Sequence, residues 1–247
     1  MVQLHNNDCR TIIPTLGDNS IDCIITSPPY NVEMKYNTYE DNAAVSDYLK
    51  FLEDVFSSLF CKLVAGGRLC INIGDGKNGK IPISSDVIQI CKNIGYLCHA
   101  HIIWNKNTTS NRTAWGSWLS PINPSYPTPF EHILIFAKDS QKLLHSGISD
   151  LTKEEFVTYA NSLWTFSPER NQKKFNHPAM FPEELPYRLI KMNTFKQDIV
   201  LDPFMGTGTT ALVCKKLDRQ FIGIEIDKQY YDTARGRINN YGKNKLF

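Results

Sequence analysis

A chain of 247 residues is long enough to bury a full core, as one α/β domain or as one domain with a small insert. With 42% apolar and 21% charged residues it has the composition of a folded protein, and a formal net charge of +2 makes no electrostatic case for nucleic acid. No apolar run reaches membrane-spanning length and the N-terminus carries no signal-peptide core, so a cytoplasmic location is expected. Seven cysteines without C-x-x-C spacing fit buried, reduced thiols better than a disulfide framework.

Val2 to Leu4 reads as a short strand ending at Asn6-Asn7-Asp8-Cys9, where Asp8 suits a turn or an N-cap. Ile21 to Thr26 is a second, buried strand, stopped by Ser27-Pro28-Pro29-Tyr30. Each proline lacks a backbone donor and keeps its predecessor extended, which holds Ser27 and the Pro28 carbonyl at the strand's C-terminal end. Open α/β sheets place their ligands there. The bland alternative is a proline turn or a docking peptide.

Polar residues 31–42 form a loop, and Ser46 opens a helix whose apolar positions recur from Leu49 to Leu63 before Gly66-Gly67 ends it. Arg68 to Ile73 is a strand with Asp75 beyond it. Ser84 caps the next helix, Gly95 terminates it, and Leu97 to Trp104 returns to a strand. Cys91, Cys98, His99 and His101 are the only cluster resembling metal ligands, but their alternation with apolar residues is that of a strand, so no metal is expected. From Asn105 to Phe130 the pattern breaks into a polar, cationic run, Asn105 to Arg112, followed by Trp115, Trp118 and Tyr126 among prolines. A loop of that length in a compact domain is usually functional or disordered, and the tryptophans argue against disorder.

Glu131 to Ala137 is a strand, and Thr152-Lys153-Glu154-Glu155 is a capping box opening a short helix. Arg170 to Lys174 reads as a solvated basic face or a phosphate contact. Pro182 starts a helix running to about Met192, with Pro186 irregular inside it. Ile199 to Leu201 is a strand leading into Asp202-Pro203-Phe204-Met205-Gly206-Thr207-Gly208-Thr209-Thr210. Ala211 to Leu217 is helical, Phe221 to Ile226 is a strand, and Lys228 to Asn239 is the last helix. Strands alternating with helices imply a mostly parallel sheet covered on both faces.

The strand, glycine turn and helix around Gly206 and Gly208 make a nucleotide-type crevice, and Glu225 ends the next strand where an acid accepts ribose hydroxyls. Residues 206–211 also fit the G-x-G-x-x-A pattern, which keeps an NAD-dependent dehydrogenase in contention. An acid and a proline directly before the glycines suit instead a ligand with a cationic amino-acid end. In these residues the chain resembles the amino-DNA methyltransferases: D-P-F-x-G-x-G-T matches their cofactor motif and S-P-P-Y their catalytic motif. The catalytic motif comes first, with a variable segment between, as in their β subgroup.

That resemblance implies a Rossmann-like class I methyltransferase fold, α/β and circularly permuted, with S-adenosyl-L-methionine as cofactor and double-stranded DNA as partner. It divides the chain into a catalytic part (1–104), a target-recognition insert (105–170, with soft boundaries) and a cofactor-binding part (171–247). It implies Asp202, Phe204, Gly206, Thr207, Gly208 and Thr209 at the methionine end, Glu225 on the ribose, and Asp8, Cys9 and Ile226 about the adenine. His177 and Phe181 would close that pocket. Ser27 and the Pro28 carbonyl would take the two hydrogens of a flipped base's amine, Pro29 would stiffen the loop, and Tyr30 would stack on the base. In the family a serine at position 27 is more usual for cytosine N4 and an Asp or Asn for adenine N6. Cytosine is therefore expected, with adenine N6 as the alternative. A restriction-modification system with a cognate endonuclease, a homodimer and a nucleoid-associated location when bound to DNA complete the expectations. A DNA-binding regulator would instead show a helix-turn-helix, and none is evident.

Overall fold

Strand β2 (Ile21–Thr26) is buried at nearly every position because both faces of the sheet around it are covered. The computed structural model describes residues 1–30, 44–76, 79–108, 116–169 and 180–242. Before β2 come β1 (Val2–Asn6) and α1 (Cys9–Ile12); after it come α2 (Val45–Lys62), β3 (Leu63–Ile73), α3 (Ile83–Ile94), β4 (Leu97–Asn105) and β5 (Phe130–Ala137). The chain continues through α4 (Lys153–Tyr159), β6 (Leu163–Thr165), α5 (Glu184–Asn193), β7 (Ile199–Asp202), α6 (Thr209–Lys216), β8 (Gln220–Glu225) and α7 (Lys228–Asn240). The strands form one eight-stranded sheet in the order β1-β8-β7-β2-β3-β5-β4-β6. It is parallel except at β5, which runs antiparallel to both β3 and β4.

Period-two alternation along the strands builds two cores. Ile24, Leu69, Ile71 and Leu201 face one layer with residues of α2 and α3, among them Leu52, Phe56, Leu59 and Val87. Cys23, Ile25, Cys70 and Val200 face the other, with Leu185 and Leu189 of α5, Val213 of α6 and Ala234 of α7. The mostly parallel α/β sheet read from the strand–helix alternation is the one observed.

Some boundaries differ from the sequence reading. Helix α2 begins at Val45 and stops at Lys62, not at Gly66-Gly67, because Leu63 is already extended and pairs with Ile21. Gly66 lies inside β3 with φ +80°, and a Cβ there would stand 2.2 Å from the Lys142 carbonyl oxygen, so glycine serves close approach of the 138–144 segment. Ser84 is not a cap: it lies within the first turn of α3, and its N–H donates to Asp75 Oδ1 at 2.9 Å. The acid beyond β3 therefore does the capping. The Thr152–Glu155 capping box is present with both of its hydrogen bonds.

Beneath the sheet's N-terminal edge, Arg219 is buried, and its guanidinium grips Asp150 through two bonds of 2.7 and 2.9 Å. It also donates to the Thr194 hydroxyl and carbonyl. Burial pushes the Asp150 carboxyl up, but the Arg219 hydrogen bonds and charge, with Lys191, outweigh it and leave the group lowered. Asp150→Ala strands a buried cation and is expected to cost on the order of 3 kcal/mol in urea unfolding. Because the folded-state value is depressed, the stabilisation is present above about pH 4 and fades as pH falls through the folded value. The variant should accordingly lose that part of the wild type's acid sensitivity.

Candidate functional site

The strands β1, β8, β7, β2 and β3 are mutually parallel neighbours, so their C-terminal ends lie along one edge. That edge brings together Asp8, Glu225, the 202–210 turn and Ser27 to Tyr30. The link is direct. Thr26 Oγ1 donates to Asp202 Oδ1 at 2.9 Å across 176 residues of sequence.

Asp202 is buried, and its carboxylate organises the turn. Oδ1 also accepts the Phe204 N–H at 3.1 Å, and Oδ2 accepts the Thr210 hydroxyl at 2.9 Å. Burial raises its carboxyl to about 6 despite these three donors. Gly206 (φ +53°) and Gly208 (φ +79°) make the left-handed steps that bring the chain onto α6. A Cβ at Gly208 would lie 2.8 Å from that of Ala234, so glycine also lets α6 and α7 pack closely. Thr207 and Thr209 point inward. Arg237 on α7 donates to the Thr207 carbonyl at 2.8 Å and reaches both hydroxyls, at 3.1 and 3.3 Å.

Glu225 sits at the end of β8, where Oε2 accepts the Gly206 N–H at 2.8 Å and Oε1 the Asp227 N–H at 2.9 Å. Burial raises this carboxyl to about 7. Ile226 beside it is an apolar side chain left 49% exposed. Asp8 caps α1 through the Arg10 N–H and pairs with the Arg10 side chain at 2.6 Å. Hydrogen bonding to Arg10 holds its carboxyl below the ordinary range. The pair is exposed and worth about 1 kcal/mol at most, which leaves Asp8 able to take another donor. Cys9 is buried, and burial pushes its thiol up to about 12, so it packs as a neutral group. Phe204 meets Phe51 of α2 with ring centroids 5.9 Å apart, and Phe181 packs on the core beneath α5 and α6. His177 lies outside the described residues.

At the Ser27–Tyr30 end of this edge, the Tyr48 hydroxyl of α2 donates to the Pro29 carbonyl at 2.6 Å and pins the loop. Ser27 Oγ is 2.9 Å from the Tyr30 hydroxyl. Tyr30 in turn donates to Glu131 Oε2 at 3.1 Å and accepts from Asn72 Nδ2 at 2.8 Å. A Cβ on Gly74 would come within 3.1 Å of the Tyr30 ring, so glycine lets the ring lie against the strand end. Asn72, Glu131, Lys106, Tyr48 and Arg237 escape a reading of the sequence, because only the fold brings them to this edge.

The cluster read from sequence as ligand-like is dispersed: Cys91 is buried in α3, His99 pairs with Gln141, and His101 with His132. Among the described residues, Asp22, His145 and Asp198 converge instead, at the opposite ends of β2 and β7. Their carboxylates already accept the Ile199 and Phe195 N–H groups.

Residues 21–236 match the N6_N4_Mtase family model, described as DNA methylase. The chain is 39% identical over 174 residues to the type II methyltransferase M.MjaVI of Methanocaldococcus jannaschii, covering 70% of this chain and 89% of the relative. It is 32% identical to M.MjaI of the same organism, over 90% of this chain and 86% of the relative. Its structure is similar to that of the DNA modification methylase TTHA0409 from Thermus thermophilus complexed with S-adenosyl-L-methionine. There the TM-score is 0.79 at 28% identity, over 97% of this chain and 94% of that one. The residues fit the chemistry of such a molecule: Glu225 and Asp8 carry carboxylate acceptors for hydroxyl and amine hydrogens, and Ile226 is an exposed apolar side chain.

The raised Asp202 value has a measurable consequence. An acid whose folded-state value exceeds the unfolded one of about 3.9 stabilises fully below that pH and loses the contribution as pH rises through the folded value. Between pH 4.5 and 7.5, Asp202→Asn should gain about 2 kcal/mol relative to wild type in denaturant unfolding. A constant difference over that range would show that Asp202 ionises in the fold as it does in water.

Proposed function

This chain belongs to the N6/N4 DNA methylase family, as a DNA methyltransferase that uses S-adenosyl-L-methionine, and we propose that it methylates the N4 amine of a cytosine flipped out of double-stranded DNA. The observation that carries this reading is the Thr26–Asp202 bond, which holds the S-P-P-Y loop beside the cofactor turn. Ser27 is the residue that favours cytosine.

S-adenosyl-L-methionine supplies an electrophilic methyl group when bound. The chain's task is to present the amine. An exocyclic amine is a poor nucleophile while its lone pair is delocalised into the ring. In this reading Ser27 Oγ and the Pro28 carbonyl accept its two hydrogens, which draws the nitrogen toward tetrahedral geometry and frees the lone pair. Pro29, pinned by Tyr48, keeps both acceptors rigid, and the Tyr30 ring stacks on the flipped base. The amine becomes strongly acidic once methylated, so a neutral serine suffices where a strong base would be unnecessary. Glu225 holds the ribose, Asp8 and Ile226 the adenine, with Cys9, Phe181 and His177 around it. Phe204 and the backbone of residues 206–209 border the methionine end.

In this reading residues 105–170 read the target. Strand β5 in that span is part of the central sheet, so the reading falls to the segments flanking it, where Trp118, Leu119, Ile122 and Tyr126 are exposed. A cognate restriction endonuclease belongs to the same proposal, supported by relatives that are type II methyltransferases, and a homodimer is proposed on the family resemblance alone.

Plasmid DNA methylated by the enzyme should yield N4-methylcytosine on nucleoside mass spectrometry. N6-methyladenine in its place would overturn the choice of base and leave the chemistry standing. Ser27→Ala should slow single-turnover methyl transfer about a hundredfold while cofactor affinity persists, and undiminished turnover would remove Ser27 from its role. Glu225→Ala should weaken cofactor binding by roughly tenfold to a hundredfold in calorimetry, since a carboxyl acceptor of hydroxyl hydrogens is lost.

A further inference from the structure

Ser27 carries one proton and two lone pairs, and a hydroxyl that gives its proton to the wrong partner is a poor acceptor for an amine. We infer that Glu131, held by Lys106 and Asn72, is a positioning residue that sets the direction of the Tyr30–Ser27 hydrogen bond and so keeps Ser27 an acceptor toward the substrate. The inference rests on the role proposed above for Ser27.

The direction follows from groups that cannot reverse. A lysine ammonium only donates, and Lys106 Nζ is bonded to Glu131 Oε1. An ionised carboxylate only accepts, so the Tyr30 hydroxyl, 3.1 Å from Glu131 Oε2, gives it its proton. The Asn72 amide is fixed in the same sense. Its Nδ2 donates both to Tyr30, at 2.8 Å, and to Glu131 Oε2, at 2.6 Å. Flipping that amide would set its oxygen against the carboxylate, although Asn72 Oδ1 is buried without a hydrogen-bond partner among the described residues.

With its own proton committed to Glu131, the Tyr30 oxygen receives at the 2.9 Å contact with Ser27. Ser27 is therefore the donor there, and both of its lone pairs turn outward. The chain of bonds starts at a half-buried ion pair 101 residues beyond Tyr30 and ends at the reacting amine's acceptor. Short, aligned bonds of this kind polarise one another in a region removed from water.

Glu131→Gln keeps the shape and removes the certainty of direction, because the amide must present a hydrogen either to Lys106 or to Tyr30 and Asn72. Its kcat should fall by about tenfold to a hundredfold, with KM for DNA and calorimetric affinity for S-adenosyl-L-methionine within about twofold of wild type. The decisive measurement is a double-mutant cycle with Tyr30→Phe. Tyr30→Phe removes the intervening hydroxyl, so in that background Glu131→Gln should change kcat less than about threefold. Equal losses in both backgrounds would overturn the inference, as would a loss confined to KM. Should Glu131→Gln fail to fold, Lys106→Gln carries the same cycle from the more exposed end. Wild-type turnover by Ser27→Ala would defeat the Ser27 role itself. Inactive Ser27→Ala beside fully active Glu131→Gln would defeat only the positioning role.

Discussion

The carboxylate of Asp202 is the constraint on which the site depends. It is buried at the end of β7 and accepts one hydroxyl from the neighbouring strand β2, one from the first turn of α6, and the Phe204 N–H. A carboxylate has lone pairs for three such donors, whereas an amide in its place brings one oxygen and two hydrogens. Burying it is costly, as its rise to about 6 records, and the return is geometric. Whatever moves the turn around Gly206 also moves Thr26, and with it the residue that follows, Ser27.

Around that centre the same device recurs at neighbouring strand ends. Glu225 gathers the Gly206 and Asp227 N–H groups at the end of β8, and Glu131 gathers Tyr30, Asn72 and Lys106 near the start of β5. Helix α2 buttresses the edge from one side, with Tyr48 on the Pro29 carbonyl, Phe51 against Phe204 and Arg10 lying 5.5 Å over the Phe51 ring. Acids at strand ends thus act first as local scaffolding and only then as groups that a ligand can meet.

Much of this is legible in the residues because it is written contiguously. Ser27-Pro28-Pro29-Tyr30 and Asp202 to Thr210 each combine a strand, a stop and a turn within ten residues, and the structure sets both at strand ends on one edge. The parallel sheet follows from strand–helix alternation. What escapes depends on partners distant in sequence. Arg237 reads as one more surface charge of a last helix until α7 packs on the turn, and Glu131 reads as the first residue of an ordinary strand until β5 docks on β3. Gly66-Gly67 reads as a helix stop because glycine signals both helix ends and close backbone approach, and here the neighbour at Lys142 decides for the second. Strand β6, three residues long, carries too little pattern to be seen.

The position of β1 has a consequence for the order of assembly. Among the described residues its only strand partner is β8, so β1 waits for residues 220–225 before it can join the sheet. A contact spanning most of the chain costs loop-closure entropy and forms late, and a ribosome delivers its two halves many seconds apart. Strand β2 can already pair with β3 while β1, on the far side of the sheet, still lacks its partner. The edge that carries Asp8, Glu225 and the 202–210 turn is therefore the last part of the sheet to be completed, since Glu225 at the end of the closing strand is what holds the Gly206 N–H.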